Sequence, residues 1–159
     1  MQRWETILDV VNCARRAPEV LEEQVYICPS EGSAYSHHRS KFFGVYHDKC
    51  VDYIFFIKAV VDVIDERRGL VLWRNVPESN DDLLQKAFGF VRRLRPKEFE
   101  KRVFLLQDGV ETLFSKDTPG GMQGNKQYFD VAGMDCNTTA TLARELSGHD
   151  WSQLPRVAF

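Results

Sequence analysis

Residues 33–41, SAYSHHRSK, combine side-chain types that could bind nucleic acid. Arg39 and Lys41 carry the positive charge that contacts phosphate, and His38 can form hydrogen bonds with phosphate, sugar or base. Tyr35 offers a ring on which a base could stack. The alternative is an ordinary solvated loop, because short polar motifs of this kind occur in many unrelated proteins. The segment is therefore one candidate binding loop.

A second polar segment, residues 115–127, is the most unusual stretch of the sequence. Its glycines let a backbone approach a ligand closely, and Gln123 and Asn125 carry the paired donor and acceptor that can read a base edge. Lys116 and Lys126 add positive charge. The segment does not match the Walker pattern G-x-x-x-x-G-K-[S/T]. A long hairpin connection is the alternative, although loops of this length in compact domains are commonly functional.

The histidines could support a different chemistry. His47 and Cys50 have the spacing H-x-x-C, but no second close pair completes a tetrahedral zinc site, so we expect no metal and no other cofactor. A metal-assisted hydrolase or nuclease would use His37, His38, His47 and Asp48 as its reacting groups. No motif links these residues, and the sequence favours a non-catalytic protein over an enzyme.

Composition limits the class of protein. The 159 residues include 43% hydrophobic and 28% charged residues, and we expect one domain over residues 1–159. The net charge of −2 provides no global basic field, so nucleic-acid binding would need a local patch. No secretory signal or membrane-spanning stretch is recognisable, which predicts a cytoplasmic protein without membrane contact. The four cysteines form no C-x-x-C pair, as expected of reduced thiols.

The two candidate loops must be positioned by a predicted sheet. Residues 42–65 hold the longest concentration of β-branched and aromatic residues, and the polar break at residues 47–49 divides them into two strands joined by a tight turn. On the second strand alternate residues from 51 to 63 are mostly apolar, which predicts one core-facing side. Two further strands are predicted over residues 24–28 and 70–76.

Apolar residues at spacings of three and four predict three helices. The first covers residues 4–16, within an N-terminal helical segment 1–23. The second covers residues 80–95, with Ser79 or Asn80 as its cap. The third covers residues 137–147, with Asn137 as its cap.

The last strands complete the predicted architecture. Residues 102–106 and 110–114 are expected to form a hairpin around the turn residues 107–109, and residues 128–131 form a closing strand. Most strands are then neighbours in sequence. The fold class is α+β: a small, curled, mostly antiparallel sheet or partly closed β-barrel over residues 24–131, with N-terminal, inserted and C-terminal helices.

The sequence contains, in order, a basic polar loop, the strands F-F-G-V-Y and V-D-Y-I-F-F-I-K-A-V, and a later R-V-F-L-L leading to E-T-L-F. This order of features resembles the PUA-like superfamily, which includes the EVE, ASCH and YTH groups. Many such domains bind RNA, or a modified or flipped base in DNA, in an aromatic-lined pocket with a basic rim. The resemblance implies that the two loops meet at a barrel mouth, where Tyr35, Tyr46 or Trp73 stacks the base.

We therefore expect a non-catalytic binding module for nucleic acid or a modified nucleotide or base. The hydrolase remains the first alternative. A protein-interaction domain is the second alternative, and it predicts an exposed apolar patch near the polar loops.

Overall fold

The computed structural model describes residues 2–32 and 35–159. Within them, three α-helices pack against one mixed sheet of eight strands, which is curled but not closed into a barrel. This confirms the predicted α+β class with a curled sheet. The elements in chain order are β1 (Ile7–Asn12), α1 (Ala17–Glu23), β2 (Val25–Pro29), β3 (Phe42–His47), β4 (Cys50–Val63), β5 (Gly69–Arg74), α2 (Asn80–Leu94), β6 (Lys101–Ser115), β7 (Lys126–Asp130), α3 (Thr139–Leu146) and β8 (His149–Asp150).

The sheet is organised around its two longest strands, β4 and β6, which pair along most of their lengths. The strand order is β2-β6-β4-β3-β1-β7, with β5 added to β4 and β8 added to β6. β1 runs parallel to β3, and β8 runs parallel to β6, whereas the remaining pairings are antiparallel. Among the described residues, no helix has both the length and the apolar character needed to cross a bilayer.

The apolar core has three parts, and β4 contributes to all of them. Val51 belongs to the cluster beneath α3, Ile57 to the cluster between α1 and the sheet, and Val61 to the cluster beneath α2. The predicted alternation is present in the burial, since the alternate residues from 51 to 63 are buried except Tyr53, but these side chains belong to three clusters and do not share one face. Register shifts against β6 change which alternate side chains share a face, because each bulge adds an unpaired residue.

The predicted helix over residues 4–16 is wrong. The chain instead forms a 3-10 turn at Arg3–Thr6, the strand β1, and a second 3-10 turn at Ala14–Arg16. β1 pairs with β3 on one side and β7 on the other, and its residues 7–11 are buried. A strand with both faces buried contains a continuous run of apolar residues. Such a run can also fit the spacing of a helical stripe by coincidence. α1 begins only at Ala17, with Pro18 in its first turn.

The predicted hairpin at residues 102–114 is also wrong, because β6 continues through Gln107, Asp108 and Gly109 as one strand. Asp108 has a φ of +55°, and the register against β4 shifts in this region. A Cβ atom at Gly109 would lie 2.5 Å from Cε1 of Phe55. The glycine therefore permits a close approach of two strands, and it does not form a turn.

Other local predictions are confirmed. The β3–β4 hairpin turns at Asp48 and Lys49, both with positive φ, as a two-residue turn of this kind requires. The Ser79 side chain accepts a hydrogen bond from the Asp82 N–H at the start of α2. The cap of α3 is Thr138, one residue later than predicted.

Candidate ligand-binding cleft

A cleft of about 660 Å³ opens where β1 ends, between α1 and the β3–β4 hairpin. Residues 121 and 122, from the second polar segment, close one side of it. Its walls contain apolar side chains from three separate parts of the chain, namely Ala17, Pro18, Leu21, Tyr46 and Met122. The volume lies within the range of small-molecule sites, roughly 300–1,000 Å³.

The end of β1 shapes the inner part of the cleft. The Asn12 N–H donates to the Asn125 carbonyl at 2.8 Å, and the Cys13 N–H donates to the Tyr46 carbonyl at 3.0 Å. Ala14 then adopts a φ of +46°, which directs the chain out of the sheet. Over residues 2–32 and 35–159, the Asn12 amide forms no side-chain hydrogen bond with protein, so it is available to a ligand.

Tyr46 holds the second polar segment against the sheet. Its hydroxyl accepts a hydrogen bond from the Met122 N–H at 3.1 Å, and its ring contacts Trp151 with centroids 5.3 Å apart. Only 4% of Tyr46 is exposed. The ring therefore forms part of the cleft wall and is not the free stacking platform that the sequence suggested.

The hairpin contributes the charged groups of the cleft. His47 Nε2 lies 2.7 Å from Asp52 Oδ2, and His47 Nδ1 lies 3.3 Å from Asp48 Oδ2. Each ring nitrogen of His47 therefore faces a carboxylate of the same hairpin. Arg15 and Lys49 also line the cleft, and within the described part of the chain neither side chain has a hydrogen-bond or ion-pair partner.

The structure does not bring the predicted basic residues together. Lys41 directly precedes β3, whereas the Lys116 N–H donates to the Lys49 carbonyl just beyond the other end of this strand. A strand of this length spans roughly 17 Å at about 3.3 Å per residue. Arg39 and Lys41 therefore cannot share one small binding site with Lys116.

The charges of Arg39 and Lys41 are engaged in the fold. The Arg39 guanidinium lies 4.1 Å from the centre of the Trp4 ring and donates to Asn75 Oδ1 at 3.0 Å. Lys41 Nζ donates to the Cys136 carbonyl at 2.6 Å. Both side chains join loops to the sheet, which accounts for their presence without a ligand.

The remaining predicted residues of the first loop, and Trp73 in β5, lie in several different environments. Ser33 and Ala34, also in that loop, lie outside the described residues. The His38 ring stacks on Phe159 with centroids 3.7 Å apart. The Tyr35 carbonyl accepts from Arg102, and the half-buried Trp73 packs against the cluster between α1 and the sheet.

The predicted residues of the second segment all lie near the C-terminal ends of β1 and β3. Lys116 Nζ donates to Thr118 Oγ1 at 2.6 Å and so closes a local turn. The Gln123 carbonyl accepts from the Gln127 side chain, and the Asn125 side chain forms a hydrogen bond with the Tyr26 hydroxyl. Lys126 pairs with Val11 at the start of β7.

Sequence reasoning missed a buried pair, Asp9 and His37. Their Oδ2 and Nδ1 atoms lie 2.7 Å apart, and the two side chains are 0% and 1% exposed. Asp9 Oδ1 and His37 Nε2 have no protein partner in the described part of the chain. The signal in the sequence was a single acidic residue inside the apolar run ILDVV. Neither residue lines the cleft.

The four groups proposed for a hydrolase do not form one cluster. His47 and Asp48 line the cleft, His37 is buried against Asp9, and His38 stacks on Phe159. Within residues 2–32 and 35–159, no three His, Cys, Asp or Glu side chains are grouped to hold a metal ion.

Comparison with known proteins gives no match: no family model matches the chain, and no curated protein or solved structure is significantly similar to it.

Proposed function

We propose that this protein is a non-catalytic binding module for nucleic acid or a modified nucleotide, and that the cleft at the end of β1 holds one base. The observation that carries this proposal is the available Asn12 amide, which lies in the same cleft as the unpaired cations Arg15 and Lys49. An amide presents a donor and an acceptor to a base edge, and the cations neutralise phosphate.

The apolar walls suit the faces of a base. Pro18, Leu21 and Met122 come from α1 and the second polar segment, and they line the cleft together. A base placed between them would lose contact with water on its apolar faces while its edge remained near Asn12. The preference for one base over another would come from this polar edge, because a wrong base would leave a buried polar group without a hydrogen-bond partner, at a cost in binding free energy.

The resemblance to PUA-like domains supports the same class of ligand, since many of them bind RNA or a modified base. The net charge of −2 limits the electrostatic contribution to the few cations at the cleft. We therefore expect moderate affinity that depends on the base, with a shallow dependence on salt concentration.

Fluorescence polarisation with the EDTA-treated protein tests the proposal. The probes are short RNA and single- and double-stranded DNA, each with unmodified or methylated bases, at two salt concentrations. Arg15→Gln and Lys49→Gln should each weaken binding, and each should reduce the slope of log affinity against log salt by about 1 if it removes one phosphate contact.

The variant Arg93→Gln is the matched control, because Arg93 Nη2 pairs with Glu23 at 2.7 Å and does not line the cleft. It should bind like the unchanged protein. Asn12→Ala should reduce the preference among bases more than the salt dependence. No binding to any probe, or equal binding by all four variants, would refute the proposal.

A further inference from the structure

A second cleft, of about 500 Å³, lies between the β4–β5 turn and the segment that follows α2. Its floor is apolar and consists of the buried side chains Val63, Phe88 and Val91. Phe99, which is 38% exposed, forms one wall. An exposed aromatic side chain beside a buried apolar floor provides a surface on which a ligand could bury a hydrocarbon group.

Three cations surround this floor: Arg67, Arg92 and Lys97. Within the described residues, none of their side chains has an ion-pair or hydrogen-bond partner. Their sequence neighbours differ, since Arg68 pairs with Asp65 at 2.6 Å and Arg93 with Glu23 at 2.7 Å. The unpaired cations are thus the ones that line the cleft.

The acidic groups of the cleft do not balance this charge. Asp65 lines the cleft, but its carboxylate accepts hydrogen bonds from the Arg67 and Arg68 N–H groups and from the Arg68 side chain, and these contacts lower its pKa. Glu66 is the other acidic lining residue. The lining is therefore positive around an apolar floor.

The helix dipole explains only part of this arrangement. Arg92 lies in the last turn of α2, where a cation interacts favourably with the partial negative charge of the helix end. Arg67 belongs to the β4–β5 turn, and Lys97 lies beyond the helix. The helix dipole therefore does not account for the position of these two cations at the cleft.

We propose that this cleft binds a small amphiphilic carboxylate, whose alkyl or aryl group covers the floor and whose carboxylate lies among Arg67, Arg92 and Lys97. Arginine and lysine form charge-assisted hydrogen bonds with a carboxylate, and these bonds are stronger than neutral ones. The site is separate from the proposed nucleotide cleft and shares no lining residue with it. It does not depend on the nucleic-acid proposal.

Isothermal titration calorimetry with decanoate, kept below its micelle concentration, tests this inference. The unchanged protein should bind decanoate at one site. Decanol, which has the same chain without the charge, should bind with an affinity at least about tenfold lower. Arg92→Gln should weaken decanoate binding by about tenfold. Phe99→Ala should weaken it as well, through lost apolar contact.

Two controls separate this site from general adsorption. Arg93→Gln removes the next cation of the same helix, which is already paired, and should leave decanoate binding unchanged. Lys49→Gln, in the other cleft, should also have no effect. The inference is overturned if decanoate does not bind, if decanol binds equally well, if Arg92→Gln binds like the unchanged protein, or if Lys49→Gln abolishes binding.

Discussion

Replacement of His37 by alanine should destabilise the fold strongly, because it leaves the Asp9 carboxylate buried without a partner. The two side chains are at most 1% exposed, and their contact is 2.7 Å. Removal of one member of a buried ion pair or charged hydrogen bond costs about 3–5 kcal/mol. The change also removes the edge-to-face contact of the His37 ring with Phe104, at 4.8 Å between centroids.

The variant Asp9→Asn isolates the contribution of charge. An asparagine can still accept a hydrogen bond from His37 Nδ1, but the bond becomes neutral. Charged hydrogen bonds contribute about 1.5–3 kcal/mol and neutral ones about 0.5–1.5 kcal/mol, so the expected loss is about 1–2 kcal/mol. Once Asp9 is neutral, His37→Ala should cost less than it does alone, with a coupling free energy of about 1 kcal/mol or more.

Urea denaturation at neutral pH measures these free energies of unfolding. Asp52→Asn is the matched control, because Asp52 also contacts a histidine at 2.7 Å but its side chain is 34% exposed. A pair so exposed to solvent contributes about 1 kcal/mol or less. The reasoning would be refuted if His37→Ala cost no more than Asp52→Asn, or if the double variant showed purely additive losses.

Two further predictions concern close packing and thiol chemistry. Gly109→Ala should lower the free energy of unfolding, measured by urea denaturation, by about 1–3 kcal/mol, because its Cβ would meet the Phe55 ring. Gly89→Ala in α2, where the Cβ has open space, should raise this free energy by about 0.5–1 kcal/mol. Similar values for the two variants would contradict this prediction. Burial raises the pKa of Cys28 to about 12 and that of Cys136 to about 11, so both thiols should react slowly with iodoacetamide at pH 8 in the native protein and rapidly in urea. Stability should therefore fall above about pH 9, where unfolded thiols ionise and native ones remain protonated; fast native alkylation, or stability that does not fall there, would contradict the assignment.

Local signals predicted the elements whose patterns are set within a few residues. The apolar stripe of α2, its cap Ser79 and the turn at Asp48 and Lys49 could be read from the sequence, because propensity and tertiary structure agree there. β1 was misassigned because its burial depends on two partners that are distant in sequence. β6 was divided because Asp-Gly is a strong turn signal, and only the close approach of Phe55 explains the glycine.

The candidate site was predictable only in part, for a related reason. Tyr46 was identified as a site residue, but Asn12, Arg15 and Lys49 were not. They lie in segments that carry no motif, and they share a cleft only because β1 is placed parallel to β3. Arg39 and Lys41, which the sequence predicted for the site, instead form hydrogen bonds with protein groups.

The position of β1 has a consequence for folding kinetics. Its residues pair with β7, so that Ile7 lies opposite Asp130, and this pairing closes a loop that contains most of the chain. Contacts between such distant residues slow folding, because the entropy of closing a long loop is lost before the contact stabilises the chain. The cleft, built from the end of β1 and from Met122, should therefore be among the last regions to form during folding.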